Sequence, residues 1–278
     1  MTERLPAGLH VVATPIGNLG DLTARAADVL RRADRILAED TRVTGKLLAH
    51  VGAKTPMSRF DDHSSEAERR AIVERLASEA IALVSDAGTP LISDPGYRLV
   101  RAARAAGHTV VTVPGPCAAI AALSIAGLPT DRFLFLGVLP AKAKARSDSI
   151  AEIAAVRATL VIYESGSRLG ETLGALRKRL GPREAAVGRE LTKLHEECVT
   201  GSLTELADRY AAAAPKGEIV IVVGPPVEAE PVSDAQLDSM LEATLARLTP
   251  SRAAAEVAEQ LNIPRKRAYA RALELSRK

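Results

Sequence analysis

The stretch SDAGTPLISDPG, residues 85–96, directly follows the apolar run Ile81–Val84. A buried strand therefore leads straight into a loop of small and turn-forming residues that carries two carboxylates, Asp86 and Asp94. Ligands of open α/β sheets bind at the carboxyl ends of the strands, so this loop indicates a ligand site. An ordinary strand-to-helix connection is the alternative, although such connections need only a few residues.

Apolar runs alternate with helical patterns outward from this loop, which predicts an α/β fold. We expect two α/β domains, residues 1–114 and 115–226, each with its own sheet. The predicted strands are 9–13, 35–38, 81–85 and 110–113 in the first domain, and 134–138, 159–163, 185–188, 198–201 and 219–223 in the second. The predicted helices include 22–33, 65–78 and 169–180.

A basic helical tail is predicted over residues 233–278, after an acidic, proline-bearing linker at 227–232. Its patterns indicate a helix over 251–261 capped by Ser251 and a second over 265–275, with helix-turn-helix proportions. Seven basic and three acidic residues lie between 249 and 278, an excess of four in a chain of net charge +3. Two apolar faces are predicted to pack together: Ala254, Val257, Ala258 and Leu261 against Ala268, Tyr269, Ala272 and Leu273.

Composition narrows the class of protein. No apolar run approaches the ~18 residues of a membrane span, and the first residues lack a signal-peptide core, so we expect a cytoplasmic protein with no membrane association. The two cysteines, Cys117 and Cys198, are far apart and lack metal-ligand spacing. The sequence thus supports neither a disulfide framework nor a metal site, and we interpret both as small buried residues.

The loop after the first strand, TPIGNLGD at 14–21, only partly matches a dinucleotide-binding fingerprint. Gly17 and Gly20 remain of its glycines, and Pro15 removes an N–H that a pyrophosphate would need. Glu39 stands about where a ribose-binding acid would be expected. We therefore expect a ligand without phosphates, such as an adenosyl sulfonium compound, and an oxidoreductase is disfavoured.

Two polar clusters follow predicted strands and are candidates for catalysis. Each has a structural alternative: a helix-start cluster stabilised by the helix dipole for the first, and a surface salt-bridge set for the second. The clusters are Glu39, Asp40 and Arg42 in the first domain and Arg189, Glu190 and Lys193 in the second. His63 could assist proton removal or contact the substrate, but a lone loop histidine is usually solvated.

Four motifs occur in a family-specific order: ATPIGNL at 13–19, AEDTR at 38–42, the loop at 85–96, and VPGPCAA at 113–119. With them the chain resembles the tetrapyrrole methylase superfamily. The further motifs YES at 163–165 and GRELTK at 188–193, together with the basic tail, are similar to the branch of that superfamily that methylates ribosomal RNA. Relatives often have histidine where this chain has Ser167, so no role of that histidine is carried over.

The resemblance implies S-adenosylmethionine as cofactor, bound in a cleft between the two α/β domains. It implies 2′-O-methylation of a cytidine ribose in the decoding region of small-subunit (16S) ribosomal RNA, and a homodimer. A corrinoid or porphyrin-precursor methylase of the same fold and a non-catalytic ribosome-assembly factor are the alternatives. The implied cofactor-binding residues are Pro15, Asp86, Ala87, Gly88, Thr89, Cys117, Ala118, Tyr163 and Thr192.

RNA recognition through aromatic stacking is disfavoured, because the chain has no Trp, four Tyr and three Phe. We expect basic side chains to contact the phosphates of a structured particle instead. Solvated basic surfaces are the alternative. The predicted RNA-binding residues are Lys142, Lys144 and Arg146 in the loop at 140–147, and Arg265, Lys266, Arg267 and Arg271 in the tail.

Overall fold

A computed structural model describes residues 4–61, 63–212, 214–226, 233–261 and 263–276. The chain divides into two units, Met1–Pro226 and Val227–Lys278, and each is described by itself. The predicted linker at 227–232 lies outside the described residues.

Strands and helices alternate through the first half of the chain, as predicted. The strands form one parallel sheet in the order third, second, fourth, first, fifth, so the loops after the first, second and fourth strands lie at the same edge. The third strand was not predicted, because three residues give no apolar period. The elements are β1 (Gly8–Val12), α1 (Ala24–Arg32), β2 (Arg35–Ala38), α2 (Thr41–Val51), β3 (Met57–Arg59), α3 (Glu66–Arg75), β4 (Ala80–Val84), α4 (Tyr97–Ala105) and β5 (Val110–Val113).

Side-chain periodicity and caps explain the helices of this half. Thr23 caps α1 by accepting a hydrogen bond from the Ala26 N–H, and the helix buries Val29 and Leu30. Ser65 and Glu68 form a reciprocal capping box at the start of α3. All five residues of β4 are buried, as expected for a central parallel strand covered on both faces.

The second half of the chain forms a mixed sheet. Its elements are α5 (Ala118–Ile125), β6 (Phe133–Val138), α6 (Ala143–Ile153), β7 (Thr159–Ser165), α7 (Leu169–Leu180), β8 (Glu184–Arg189), β9 (Glu197–Ser202), α8 (Leu203–Tyr210) and β10 (Glu218–Val223). The strand order is β6-β7-β10-β8-β9, in which β6 pairs parallel to β7 and the other neighbours are antiparallel. One face of the sheet packs on α6, α7 and α8. The other face packs on α5 and on Ile16 from the loop after β1.

The tail has three described helices, one more than the two predicted: α9 (Asp234–Leu245), α10 (Pro250–Gln260) and α11 (Arg265–Leu275). Leu237 and Leu241 of α9 complete its core. The prediction that Tyr269 packs inside was wrong, since it is 41% exposed. Ser251 does not cap α10: Thr249 is the N-cap residue, and proline takes the first helical position, where its missing N–H costs nothing.

Among the described residues, no helix combines the length and the apolar character of a membrane span.

Candidate functional site

A cavity of about 510 Å³ lies where the loops of the first sheet meet the second sheet. This volume is in the range of small-molecule and cofactor sites. The cavity brings together residues that were predicted from widely separated motifs: Glu39, Asp86, Ala87, Gly88, Thr89, Cys117, Ala118 and Tyr163.

A short antiparallel bridge holds the loop after β4 against the loop after β1. The Thr14 N–H donates to the Gly88 carbonyl at 2.8 Å, and the Gly88 N–H donates to the Thr14 carbonyl at 3.1 Å. Gly88 has φ +80°, and a Cβ there would lie 3.2 Å from Cγ2 of Ile16. Glycine therefore permits both the turn and the close approach of main chain to the cavity.

Hydrogen bonds tie this loop to the start of α5. The Thr89 hydroxyl donates to the Pro116 carbonyl at 2.9 Å, and the Tyr163 hydroxyl accepts from the Ala119 N–H at 3.0 Å. Cys117 is the N-cap residue of α5. Cys117 and Cys198 were predicted to be buried, but both are only partly buried. Burial raises the pKa of Tyr163, so its hydroxyl stays neutral and serves to position α5.

Three carboxylates converge on one wall of the cavity: Glu39, Asp86 and Asp94. Glu39 accepts a hydrogen bond from the Asp86 N–H, and Oδ1 of Asp86 accepts from the Asp40 N–H at 2.9 Å. Burial, reinforced by the charges of Asp86 and Asp94, raises the pKa of Glu39. Burial likewise raises the pKa of Asp94.

Asp40 and Arg42 do not line the cavity. Asp40 caps α2 by accepting from the Arg42 N–H at 2.8 Å, and the Arg42 guanidinium binds the same carboxylate at 2.6 Å. These hydrogen bonds hold the pKa of Asp40 well below its usual range. Asp40 and Arg42 therefore match the structural alternative, a charged cluster at the start of a helix.

Arg189, Glu190 and Lys193 also lie outside the cavity lining, which takes Leu191 from the same segment. Nζ of Lys193 is 2.9 Å from Glu190 and 2.8 Å from Glu218, and its bond to Glu190 lowers the pKa of that carboxyl. Nε of Arg189 donates to the Lys216 carbonyl at 2.9 Å. The charges of this cluster are paired, so it matches the structural alternative, a set of surface salt bridges.

Two implied cofactor residues flank the lining rather than join it. Pro15 precedes Ile16, and Thr192 follows Leu191; both of the neighbours line the cavity. Thr192 has φ +65°, and its buried hydroxyl has no hydrogen-bond partner in the described part of the chain.

The profile of the Tetrapyrrole (Corrin/Porphyrin) Methylases matches residues 8–207, and the profile of the RsmI C-terminal HTH domain matches residues 231–276. The Ribosomal RNA small subunit methyltransferase I of Erythrobacter litoralis is 55% identical over 98% of this chain and 97% of its own length. The protein of that name from Mesorhizobium japonicum is 47% identical over 98% and 93%. The chain belongs to the ribosomal RNA small subunit methyltransferase I family of tetrapyrrole methylases.

Solved structures support the fold of this methyltransferase family member. A uroporphyrin-III-C-methyltransferase from Thermus thermophilus aligns with TM-score 0.56 and 23% identity over 78% of this chain and 94% of its own. A diphthine synthase aligns with TM-score 0.61 and 15% identity over 78% and 89%. At these identities the likeness concerns the fold alone.

The basic residues predicted for RNA differ in exposure in this family member. Arg146 is 5% exposed and binds Glu171 at 3.0 Å, so its guanidinium is part of the interior. Lys142 and Lys144 are exposed, and Lys144 pairs with Asp148 at 2.8 Å.

In the tail, Arg265 and Lys266 are exposed at the start of α11. Arg267 is exposed and pairs with Asp234 at 2.9 Å, whereas Arg271 is partly buried between Asp238 and Glu274. The acids of α9 therefore offset part of the basic face that the sequence predicts.

Sequence reasoning did not assign Asp94, Glu164 or Arg168 to the site, although all three line the cavity. Glu164 has a side chain that is 1% exposed; it accepts from the Thr172 hydroxyl at 2.7 Å and lies 3.4 Å from Nε of Arg168. The sequence could have revealed Asp94, since it is the second carboxylate of the loop at 85–96. The pairing of Glu164 with Arg168 depends on the packing of β7 and the start of α7, which the sequence alone does not show.

Proposed function

We propose that this protein transfers a methyl group from S-adenosylmethionine to the ribose 2′-oxygen of a cytidine in the decoding region of 16S ribosomal RNA. The observation that carries the proposal is the carboxylate-rich wall of a cavity of cofactor size, in a member of a family whose relatives are named for methylating small-subunit ribosomal RNA.

The residues present fit S-adenosylmethionine better than a phosphate-bearing nucleotide. The described lining contains five carboxylates and a single cation, Arg168, which is paired with Glu164. The other four carboxylates are those of Glu39, Asp86, Asp94 and Glu218. Such a wall repels phosphates and favours a positively charged sulfonium and amine. Ile16, Leu191 and Val220 add the apolar surface that an adenine ring needs.

In this proposal the main chain of Asp86–Thr89 and of Cys117–Ala118 holds the cofactor, and Tyr163 fixes the start of α5. When bound, S-adenosylmethionine supplies an electrophilic methyl group. The protein contributes mainly by aligning the acceptor oxygen with that methyl group. Of the six catalytic candidates, Glu39 is the one that faces the cavity.

The exposed basic residues Lys142, Lys144, Arg265, Lys266 and Arg267 are the proposed RNA contacts. We also propose a cytoplasmic homodimer. Exposed apolar side chains on α5 and the edge strand β6 are candidates for its interface, because contiguous exposed apolar surface marks interaction sites. These side chains are Ile120, Ile125 and Phe133. Light scattering of the purified protein tests the dimer.

The test of the reaction is incubation with methyl-labelled S-adenosylmethionine and small ribosomal subunits that lack the modification. We expect one labelled 2′-O-methylcytidine, mapped by nuclease digestion and mass spectrometry to the decoding region. Confirmed cofactor binding without transfer to subunits or free RNA would contradict the proposal and would direct the assay to tetrapyrrole acceptors.

A further inference from the structure

Helix α4 carries an exposed row of one aromatic and two basic side chains, Tyr97, Arg101 and Arg104. These positions are four and three residues apart, so the three side chains lie on one face of the helix. The opposite face buries Leu99 and Ala103. Tyr97 is 63% exposed, more than any other aromatic side chain of the described chain. We call these three residues the α4 row.

The sequence around the α4 row is positively charged. Residues 95–130 contain three arginines and no Asp or Glu. The third arginine, Arg98, is also exposed and lies to the side of the row. No carboxylate of the described residues forms an ion pair with any of the three. Exposed guanidinium groups without such a partner produce a positive surface that attracts polyanions.

The neighbouring helix α3, which packs against α4, shows what a neutralised surface looks like. It also contains three arginines, but three glutamates accompany them. Arg70 pairs with Glu66 at 3.2 Å, and Arg75 pairs with Glu79 at 3.5 Å. The positive surface therefore belongs to α4, and α3 offers a control of matched charge.

The α4 row begins beside the loop that lines the cavity. Ile92 of that loop lines the cavity, and the chain enters α4 through Gly96. Gly96 has φ +128°, and a Cβ there would lie 2.8 Å from Cδ2 of Leu83, so glycine permits the turn from the loop into the helix. From Tyr97 to Arg104 the helix rises by roughly 10 Å. A polymer with one unit at the cavity can therefore extend along the row.

The chemistry of the α4 row matches a single-stranded nucleic acid. An exposed aromatic ring stacks on unpaired bases, and the planar guanidinium of arginine binds phosphate through paired hydrogen bonds. An acidic protein surface would satisfy the two arginines, but it would not account for the aromatic ring beside the cavity loop. Charge and position together favour RNA.

We propose that the α4 row binds the RNA strand next to the nucleotide that is methylated; this inference rests on the proposed function. Arg101 and Arg104 hold phosphates of that strand, and Tyr97 stacks on an unpaired base. This surface is distinct from the exposed basic residues of the loop at 140–147 and of the helical tail. Its position beside the cavity loop gives it a part in aligning the acceptor ribose.

The experiment measures binding of the full chain to unmodified small ribosomal subunits across a salt series, with cofactor affinity measured by calorimetry. We expect Arg101→Ala with Arg104→Ala to reduce the salt dependence by about two phosphate contacts. Tyr97→Ala should weaken binding by about tenfold without changing the salt dependence, and Tyr97→Phe should retain the affinity because it keeps the ring. Cofactor affinity should be the same in all variants.

The matched control is Arg70→Ala with Arg75→Ala, which removes the same formal charge from α3, where each arginine has a carboxylate partner. It should reduce the salt dependence much less. Equal salt dependence of the two double variants would overturn the proposal, since the α4 charges would then act only through net charge.

A smaller mass in light scattering, with RNA affinity unchanged, would also overturn it, because α4 would then be an interface between copies of the chain. Absence of methyl transfer by the unmodified protein, with the salt dependence still reduced in the α4 variant, would refute the proposed reaction and support α4 as an RNA-binding surface.

Discussion

Two groups of charged side chains lie at strand ends, yet their surroundings are opposite. One is the set of carboxylates after β2 and β4, and the other is the charged cluster at the end of β8, which contains Glu190 and Lys193. Glu39, Asp86 and Asp94 share a cavity wall, and burial raises the pKa of Glu39 and Asp94. Glu190 is neutralised by Lys193 at 2.9 Å, and its pKa is lowered. Like charges left unpaired beside a cavity are available for chemistry, whereas matched charges hold the fold.

We expect the largest effect from a substitution among the carboxylates that line the cavity. Asp86→Ala removes the oxygen that accepts the Asp40 N–H and frees the loop that lines the cavity. We expect cofactor affinity to fall by about 2 kcal/mol, roughly 30-fold in Kd. Isothermal titration calorimetry measures this, and an unchanged Kd would remove Asp86 from the site.

For the paired cluster of Glu190, Lys193 and Glu218 we expect the reverse, a loss of stability without a comparable loss of cofactor affinity. Lys193→Met keeps most of the aliphatic stem over Gly17 but leaves Glu190 and Glu218 without their cation. The free energy of unfolding should fall by about 1.5 kcal/mol, since the lysine is only partly exposed. Cofactor affinity should change little in the folded protein, since Glu218 is the one residue of the three that lines the cavity.

Urea denaturation and calorimetry of the same preparation check this prediction. Glu190→Gln is the milder companion, because Lys193 retains Glu218. A Lys193→Met protein of full stability that cannot bind cofactor would assign the cluster to the site and remove the contrast.

The sequence predicted the position of the cavity carboxylates better than the pairing of the charged cluster at the end of β8. Carboxylates in a patterned loop after a buried strand are a local signal, and Glu39 and Asp86 both line the cavity. The partners of the second cluster, Lys216 and Glu218, lie more than two dozen residues away in the chain. The local sequence offers Lys193 to Glu190 three residues away, but it does not show the pairing with Lys216 and Glu218.

The fold shows the same division. Periodicity predicted nine of the ten strands found in the described chain, because burial imposes it locally. It did not predict that β7, β10, β8 and β9 pair antiparallel, since pairing depends on distant connections. Helix α9 was missed although its leucines complete the core of the tail.

The basic residues of the helical tail offer a further comparison of exposed and ion-paired charges, with a smaller expected effect. Arg265→Ala with Lys266→Ala should reduce the salt dependence of RNA binding by about two phosphate contacts, and leave cofactor binding unchanged. Arg267→Ala should reduce it less, because Asp234 already offsets that charge. Filter binding across a salt series measures the slopes; equal slopes for all variants would make the tail a structural element.

The smallest effect is expected from a neutral hydrogen bond of the cavity. Thr89→Val removes the donor to the Pro116 carbonyl and should lower the free energy of unfolding by about 1 kcal/mol. Thr89→Ser keeps the hydroxyl and is the matched control in thermal unfolding. Equal stability of the valine and serine variants would show that this bond does not hold the loop.

A crystal structure of the protein with S-adenosylhomocysteine tests the central claim most directly. We expect the ligand in the cavity between the sheets, against the main chain of Asp86–Thr89 and Cys117–Ala118, with the charged cluster of Glu190, Lys193 and Glu218 still paired. A ligand bound outside that cavity, or one that separates Lys193 from its carboxylates, would contradict it.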